Sequence, residues 1–164
     1  MSSGEQRAWE ILMELAPEDV CSRAKVAFDR LSGVYLVKSI LWYLINAKDK
    51  PISGRLVRPA DLIGGQIYLN GSHALPLNEI AEKYGCDIPG FFKKGRQLGG
   101  EELNHGDACL RLLPFPKVPV LILLWKGNVE FHSRCSLLFG SICGVHLPAD
   151  IIWSTAMMSV AIML

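Results

Sequence analysis

At 164 residues the chain is long enough for one domain, and a domain of this size buries roughly 68 to 70% of its unfolded surface, so folding requires neither disulfide staples nor a structural metal. Its 17 basic and 16 acidic residues leave a formal charge of +1, which gives no long-range field to draw in nucleic acid or an anionic membrane and excludes both as expected partners. Half of the residues are hydrophobic and mean hydropathy is +0.25, an excess that fits either a fuller core or an apolar surface covered by a protein partner or a second copy of the chain.

Trp9, Leu12, Met13 and Ala16 recur at helical spacing, which predicts an amphipathic helix over Glu5 to Leu15 that stops at Pro17. Pro17, Glu18 and Asp19 suit the first turn of a second short helix, since proline lacks only a donor that is orphaned there and the acids complement the dipole. Ser32-Gly33, between Phe28/Leu31 and Val34/Tyr35/Val37, is a weak turn signal for a hairpin over Asp29 to Val37. Ile40 to Ala47 is apolar nearly all round and flanked by Lys38 and Lys48, as in a buried helix. Between Pro51 and Gly71 the prolines and glycines predict short strands and loops, and Gln66 to Leu69 alternates as a strand does.

Pro76 to Tyr84 returns to helical spacing, with Leu77, Ile80, Ala81 and Tyr84 on one face, proline at the start and Gly85 at the stop. Asp87 or Ile88 to Lys94 reads as a further turn or two of helix. Ala108 to Leu113 and Val118 to Trp125 are rich in Leu, Val and Ile and bounded by Pro-Phe-Pro and by Lys126-Gly127-Asn128, which predicts two strands, antiparallel because their connection is short. Pro148 to Leu164 reads as a closing helix, with Asp150 in its first turn and Ile152, Ala156, Met157 and Val160 on one stripe. No repeat or low-complexity segment interrupts this order. The expectation is a single α+β domain over 1–164: a small, largely antiparallel sheet packed by several helices, with the C-terminal helix closing the fold.

Three groups of residues bear on chemistry. The stretch from Phe91 to Asp107 carries Gly95, Gly99, Gly100 and Gly106 beside Lys93, Lys94 and Arg96. Glycine permits backbone conformations that aim N–H groups at an anion, so Lys93, Arg96, Gly99, Gly100 and Gly106 are candidate ligand-binding residues for a phosphate or carboxylate. The order fits neither the Walker pattern nor the dinucleotide fingerprint, and an ordinary glycine turn with a solvated basic face is the competing reading. His105 and Asp107, with Glu130, are candidate acid, base and orienter, because a carboxylate fixes the tautomer of a histidine and raises its basicity. Asp107 after Gly106 fits an Asx-type turn equally well. His132, Cys135, Cys143 and His146 have spacing and softness compatible with tetrahedral zinc, the competing reading being buried cysteines and partly exposed histidines.

The five cysteines, Cys21, Cys86, Cys109, Cys135 and Cys143, are odd in number and scattered, which points to a reducing compartment. The N-terminus shows no basic region followed by an apolar one, and the apolar stretch from Ile151 to Leu164 is shorter than the roughly 20 residues that span a bilayer. A cytoplasmic location is the expectation.

From about Ile40 onward, the pieces ILWYLINAKDKPISG (Ile40 to Gly54), LGG (Leu98 to Gly100), Gly106-Asp107, FPKVPV (Phe115 to Val120), LLWKGNVEF (Leu123 to Phe131), LLF (Leu137 to Phe139) and LPADIIW (Leu147 to Trp153) stand in one consistent order. In that order the chain resembles a domain-of-unknown-function family, the one numbered 3786, found largely in anaerobic bacteria and archaea, with residues 1–38 as a divergent N-terminal part. The resemblance implies a small cytosolic α+β domain. Some relatives look like fusions to iron-sulfur modules of the kind seen in corrinoid proteins, which implies a role near metallocofactor or one-carbon metabolism. The resulting expectation is a non-catalytic accessory domain that binds a small ligand, a cofactor or a protein partner; the alternative is an enzyme built on His105, Asp107 and Glu130. No particular cofactor is implied by the residues.

Overall fold

A computed structural model describes residues 39, 40, 42, 43, 46–65 and 74–164. The helices expected over Glu5 to Leu15 and from Pro17, the hairpin over Asp29 to Val37 and the strand at Gln66 to Leu69 lie outside these residues. Among the described residues five strands, β1 (Leu56–Val57), β2 (Glu101–Leu103), β3 (Ala108–Phe115), β4 (Val118–Trp125) and β5 (Arg134–Gly140), form one sheet in the order β1-β5-β4-β3-β2. Every neighbouring pair is antiparallel. The described helices are α1 (Leu77–Tyr84), α2 (Ile88–Gln97), α3 (Cys143–His146) and α4 (Ala149–Met163), with a short 3-10 turn at Pro59–Asp61. The expected α+β architecture, a sheet packed by helices with a C-terminal helix in contact with other elements, is the one observed.

The β3–β4 hairpin turns on Pro116 and Lys117, so its strands pair from Ala108↔Leu124 to Phe115↔Val118. β3 runs two residues further than its sequence pattern predicts. Its register shifts between Leu112 and Phe115, where Leu113 and Pro114 together face Pro119; neither proline can donate to a ladder, and a bulge is the arrangement that tolerates them. β5 resolves the segment whose apolar residues alone fit a strand or a helix.

The pleat sorts the strand residues into two faces. Ala108, Leu110, Leu112, Val120, Ile122, Leu124, Cys135, Leu137 and Phe139 join Ile80, Phe91, Ile151, Ile152 and Val160 in the main core. The opposite face carries a second cluster of Cys109, Leu121 and Leu123, flanked by Leu56, Leu103, Trp125 and Leu138.

Each helix has a local cause. α1 buries Ile80, Ala81 and Tyr84, the spacing of one helical face. α2 is opened by Asp87, whose Oδ1 accepts the Gly90 N–H at 2.9 Å, with Pro89 in the first turn. It lies on β3 because Gly95 has no side chain to hold it off Leu110. α4 is buried nearly all round. Its three hydroxyl residues, Ser154, Thr155 and Ser159, satisfy themselves by donating to the carbonyls of Asp150, Ile151 and Thr155. Residues 39, 40, 42, 43 and 46 are helical, as the apolar run at Ile40 to Ala47 predicts. That helix is not buried on every side: Tyr43 is in the core and Trp42 is 40% exposed.

Candidate functional site

The glycine-bearing stretch from Phe91 to Asp107 is not one loop. It comprises most of α2, a helix stop, β2 and a tight turn. Gly99 has φ +72° and its N–H donates to Arg96 O at 3.0 Å, while the Gly100 N–H donates to Gly95 O at 2.8 Å; this is the Schellman arrangement that satisfies the last carbonyls of a helix. Two of the N–H groups that the sequence offers to an anion, those of Gly99 and Gly100, are therefore spent on α2. Arg96 pairs with Glu102, and Lys93 is exposed.

Gly106, φ +61°, lets the β2–β3 turn fold over the end of β4. There the Asp107 N–H donates to Leu124 O at 3.1 Å and Asp107 Oδ2 accepts the Lys126 N–H at 2.8 Å. Asp107 thus ties the start of β3 to the chain leaving β4. His105 is exposed in the same turn, and Glu130 lies at the tip of the β4–β5 connection. Among the hydrogen bonds of the described residues none joins two of His105, Asp107 and Glu130.

That connection is an ordered turn. The Asn128 N–H donates to Phe131 O at 2.8 Å, and Asn128 Oδ1 accepts the N–H groups of Glu130 and Phe131 at 2.9 and 2.7 Å. Fixed in this way, Val129 is fully exposed and Phe131 is 68% exposed. At the foot of the turn Ser133 Oγ donates to Ala81 O of α1, and the guanidinium of Arg134 sits 4.6 Å from the Trp125 ring.

The four metal-type residues are distributed over different surroundings. His132 is exposed beside the hairpin tip, Cys135 is buried in β5, and Cys143 and His146 are buried in α3. Among the described residues no three His, Cys, Asp or Glu side chains gather where a metal ion could be held. Burial pushes the Cys135 and Cys143 thiols up to about 12, so both are protonated in these surroundings.

His146 has an environment that its spacing does not reveal. It is fully buried, and its Nδ1 accepts the Lys48 N–H at 3.2 Å, which assigns the ring proton of the neutral form to Nε2. Among the described residues Nε2 has no hydrogen-bond partner. Desolvation, then the ammonium groups of Lys117, Lys48 and Lys50, hold its pKa below the ordinary value. Lys117 Nζ donates to Lys48 O at 2.9 Å and to Asp49 Oδ1 at 3.1 Å. The neighbouring Phe115 ring stacks on Tyr43 at 4.7 Å. Tyr43 with residues 46–50, the β3–β4 turn and α3 thus meet at one corner. The lysines carried no signal in the sequence because nothing local joins positions 48 and 50 to 117 and 146.

No helix among the described residues is long and apolar enough to cross a membrane. No curated protein and no solved structure matches the chain. One family model does match, that of a domain of unknown function, DUF3786, over residues 18–161. That match takes in most of the chain, including all five strands, most of α4 and the His146 corner, and the chain belongs to the DUF3786 family.

Proposed function

We propose that the chain is a non-catalytic accessory domain that docks onto a protein partner through the β4–β5 turn, in the metallocofactor-linked anaerobic metabolism that the family resemblance implies. The observation that carries this reading is the turn itself. Single exposed apolar residues are ordinary on protein surfaces. Here two of them, Val129 and Phe131, stand on backbone that Asn128 holds with three hydrogen bonds, so little conformational entropy is lost when they enter a partner's pocket. An aromatic anchor on a rigid support is the usual form of an interface hot spot. The reading also fits Asp107, whose carboxylate holds the Lys126 backbone N–H in place.

The test is a double variant, Val129→Ser with Phe131→Ser. Both side chains are exposed, so the thermal midpoint stays within the range of surface substitutions, a stability change of about 0.5 kcal/mol. The wild-type chain, purified anaerobically from its native cells, is expected to carry a stoichiometric protein companion that the double variant lacks. A wild-type chain that runs as a bare monomer by light scattering would overturn the proposal, as would a double variant that retains the companion.

A further inference from the structure

We propose that Lys48, Lys50 and Lys117 form a binding site for a small phosphate-bearing molecule at the corner where residues 46–50, the β3–β4 turn and α3 meet. Charge is the first argument. Lys117 Nζ and the Lys50 N–H both donate to Lys48 O, so the three lysines meet at one place, and their charges act on one embedded imidazole. The carboxylate bonded at that place is Asp49, 3.1 Å from Lys117 and 81% exposed at its side chain. Like charges gathered at one corner repel each other, and a dianion placed among them removes that repulsion. Lysine ammonium groups serve phosphate as compact point charges with rotatable donors.

Geometry is the second argument, because the corner is built rather than a chance cluster of surface side chains. Lys117 Nζ is anchored by Lys48 O and Asp49 Oδ1, and an ammonium group has three donors, so among the described residues one N–H is left to offer a ligand. The backbone from Lys48 to Lys50 is fixed as well, since the Lys48 N–H is bonded to His146 Nδ1 and the Lys50 N–H donates to Lys48 O at 2.8 Å. Beneath this segment lies the His146 ring, fully buried, whose Nε2 has no hydrogen-bond partner among the described residues. Native folds rarely retain an unsatisfied buried polar group without a reason that lies in function or strain. Lys48 and Lys50 are exposed, so a ligand reaches them from solvent. His146 is a positioning residue in this arrangement: it holds the Lys48 backbone and remains neutral among the cations.

The site is independent of the partner-docking turn at Val129 and Phe131, and its test leaves that turn intact. The full chain is titrated with inorganic phosphate and with pyrophosphate, each against sodium chloride at matched ionic strength, and read by calorimetry and by backbone amide NMR shifts. Saturable pyrophosphate binding, with the largest shifts at Lys48, Asp49, Lys50 and Lys117, is the expected result. Lys50→Ala and Lys48→Ala, which remove exposed side chains, are each expected to weaken it by roughly three- to tenfold with an unchanged thermal midpoint in ligand-free buffer. Shifts no larger than those in sodium chloride would overturn the proposal. So would pyrophosphate affinity that both lysine variants retain, or shifts centred on the glycine turns at Gly99 and Gly106.

Discussion

Two residues show how much a single position can decide. An ideal Cβ placed on Gly95 falls well inside contact distance of the Leu110 side chain, and Leu110 is fully buried in the main core. Gly95→Ala removes a helix-propensity penalty of about 1 kcal/mol but forces an overpacking cost of about 1 to 3 kcal/mol. The net expectation is a loss of up to about 2 kcal/mol, seen as a lower urea midpoint at constant slope. His146 decides a pH dependence. Its folded pKa lies below the ordinary 6.5, chiefly through desolvation, so below that pH the unfolded chain takes up the proton first. The stability contributed by the neutral ring is full above about 6.5 and is lost as pH falls through that value toward the folded pKa, with a slope of at most about 1.4 kcal/mol per pH unit for one proton. His146→Asn keeps an acceptor for the Lys48 N–H and removes the titration. Unfolding curves between pH 7.5 and 5 are expected to fall less steeply for the variant, and equal slopes would refute this account. A histidine whose partners come from positions 48, 50 and 117 could not be distinguished in sequence from a metal ligand or a partly exposed residue.

At the scale of elements, the ends of helices carry the next prediction. The last carbonyls of α4 lack helical partners, as they do in any helix, and α1 supplies them: the Tyr84 hydroxyl donates to Met163 O at 2.6 Å within the buried core, and Lys83 Nζ reaches Leu164 O. Tyr84→Phe keeps the ring against Phe91 and leaves the Met163 carbonyl buried without that donor. The expected cost is about 1 to 3 kcal/mol, measured by denaturant unfolding, and a neutral result would mean that the carbonyl finds another donor. α1 and α4 were legible from their spacing, prolines and Gly85, because each presents a pattern complete within its own length. β3 and β4 were legible for the same reason. β2 was not, and β1 was legible only as one of the short strands expected between Pro51 and Gly71: three and two residues are too short to show alternation, and their positions depend on the neighbour that each pairs with. β5 was ambiguous because a short apolar run has no period that separates strand from helix. The glycines at 99 and 100 showed a turn, but whether their N–H groups faced an anion or a helix end was set by how far α2 extends.

At the scale of the whole molecule the question is how the sheet is covered. The hydrophobic excess of the sequence admitted a fuller core or a partner-covered face, and β4 bears on this because its inner residues point alternately to the two sides. Val120, Ile122 and Leu124 belong to the main core, and Leu121 and Leu123 to the second cluster with Cys109. All five are buried within the chain. An antiparallel sheet with one wet face shows alternating polar residues, whereas a strand buried on both faces reads as a continuous apolar run, which is the pattern of VPVLILLW at Val118–Trp125. Much of the apolar excess is thereby absorbed into a sheet with two packed sides at its centre, and what remains exposed is local, as at Val129 and Phe131. Leu121→Ala and Ile122→Ala test this directly. Leu121 is 2% exposed and Ile122 0%, so each truncation opens a cavity on its own side of the sheet and is expected to cost about 2 to 5 kcal/mol. If only the main core stabilised the fold, Leu121→Ala would behave as a surface change of about 0.5 kcal/mol or less. Comparable losses from two adjacent residues facing opposite sides would establish that β4 is the shared wall of both clusters.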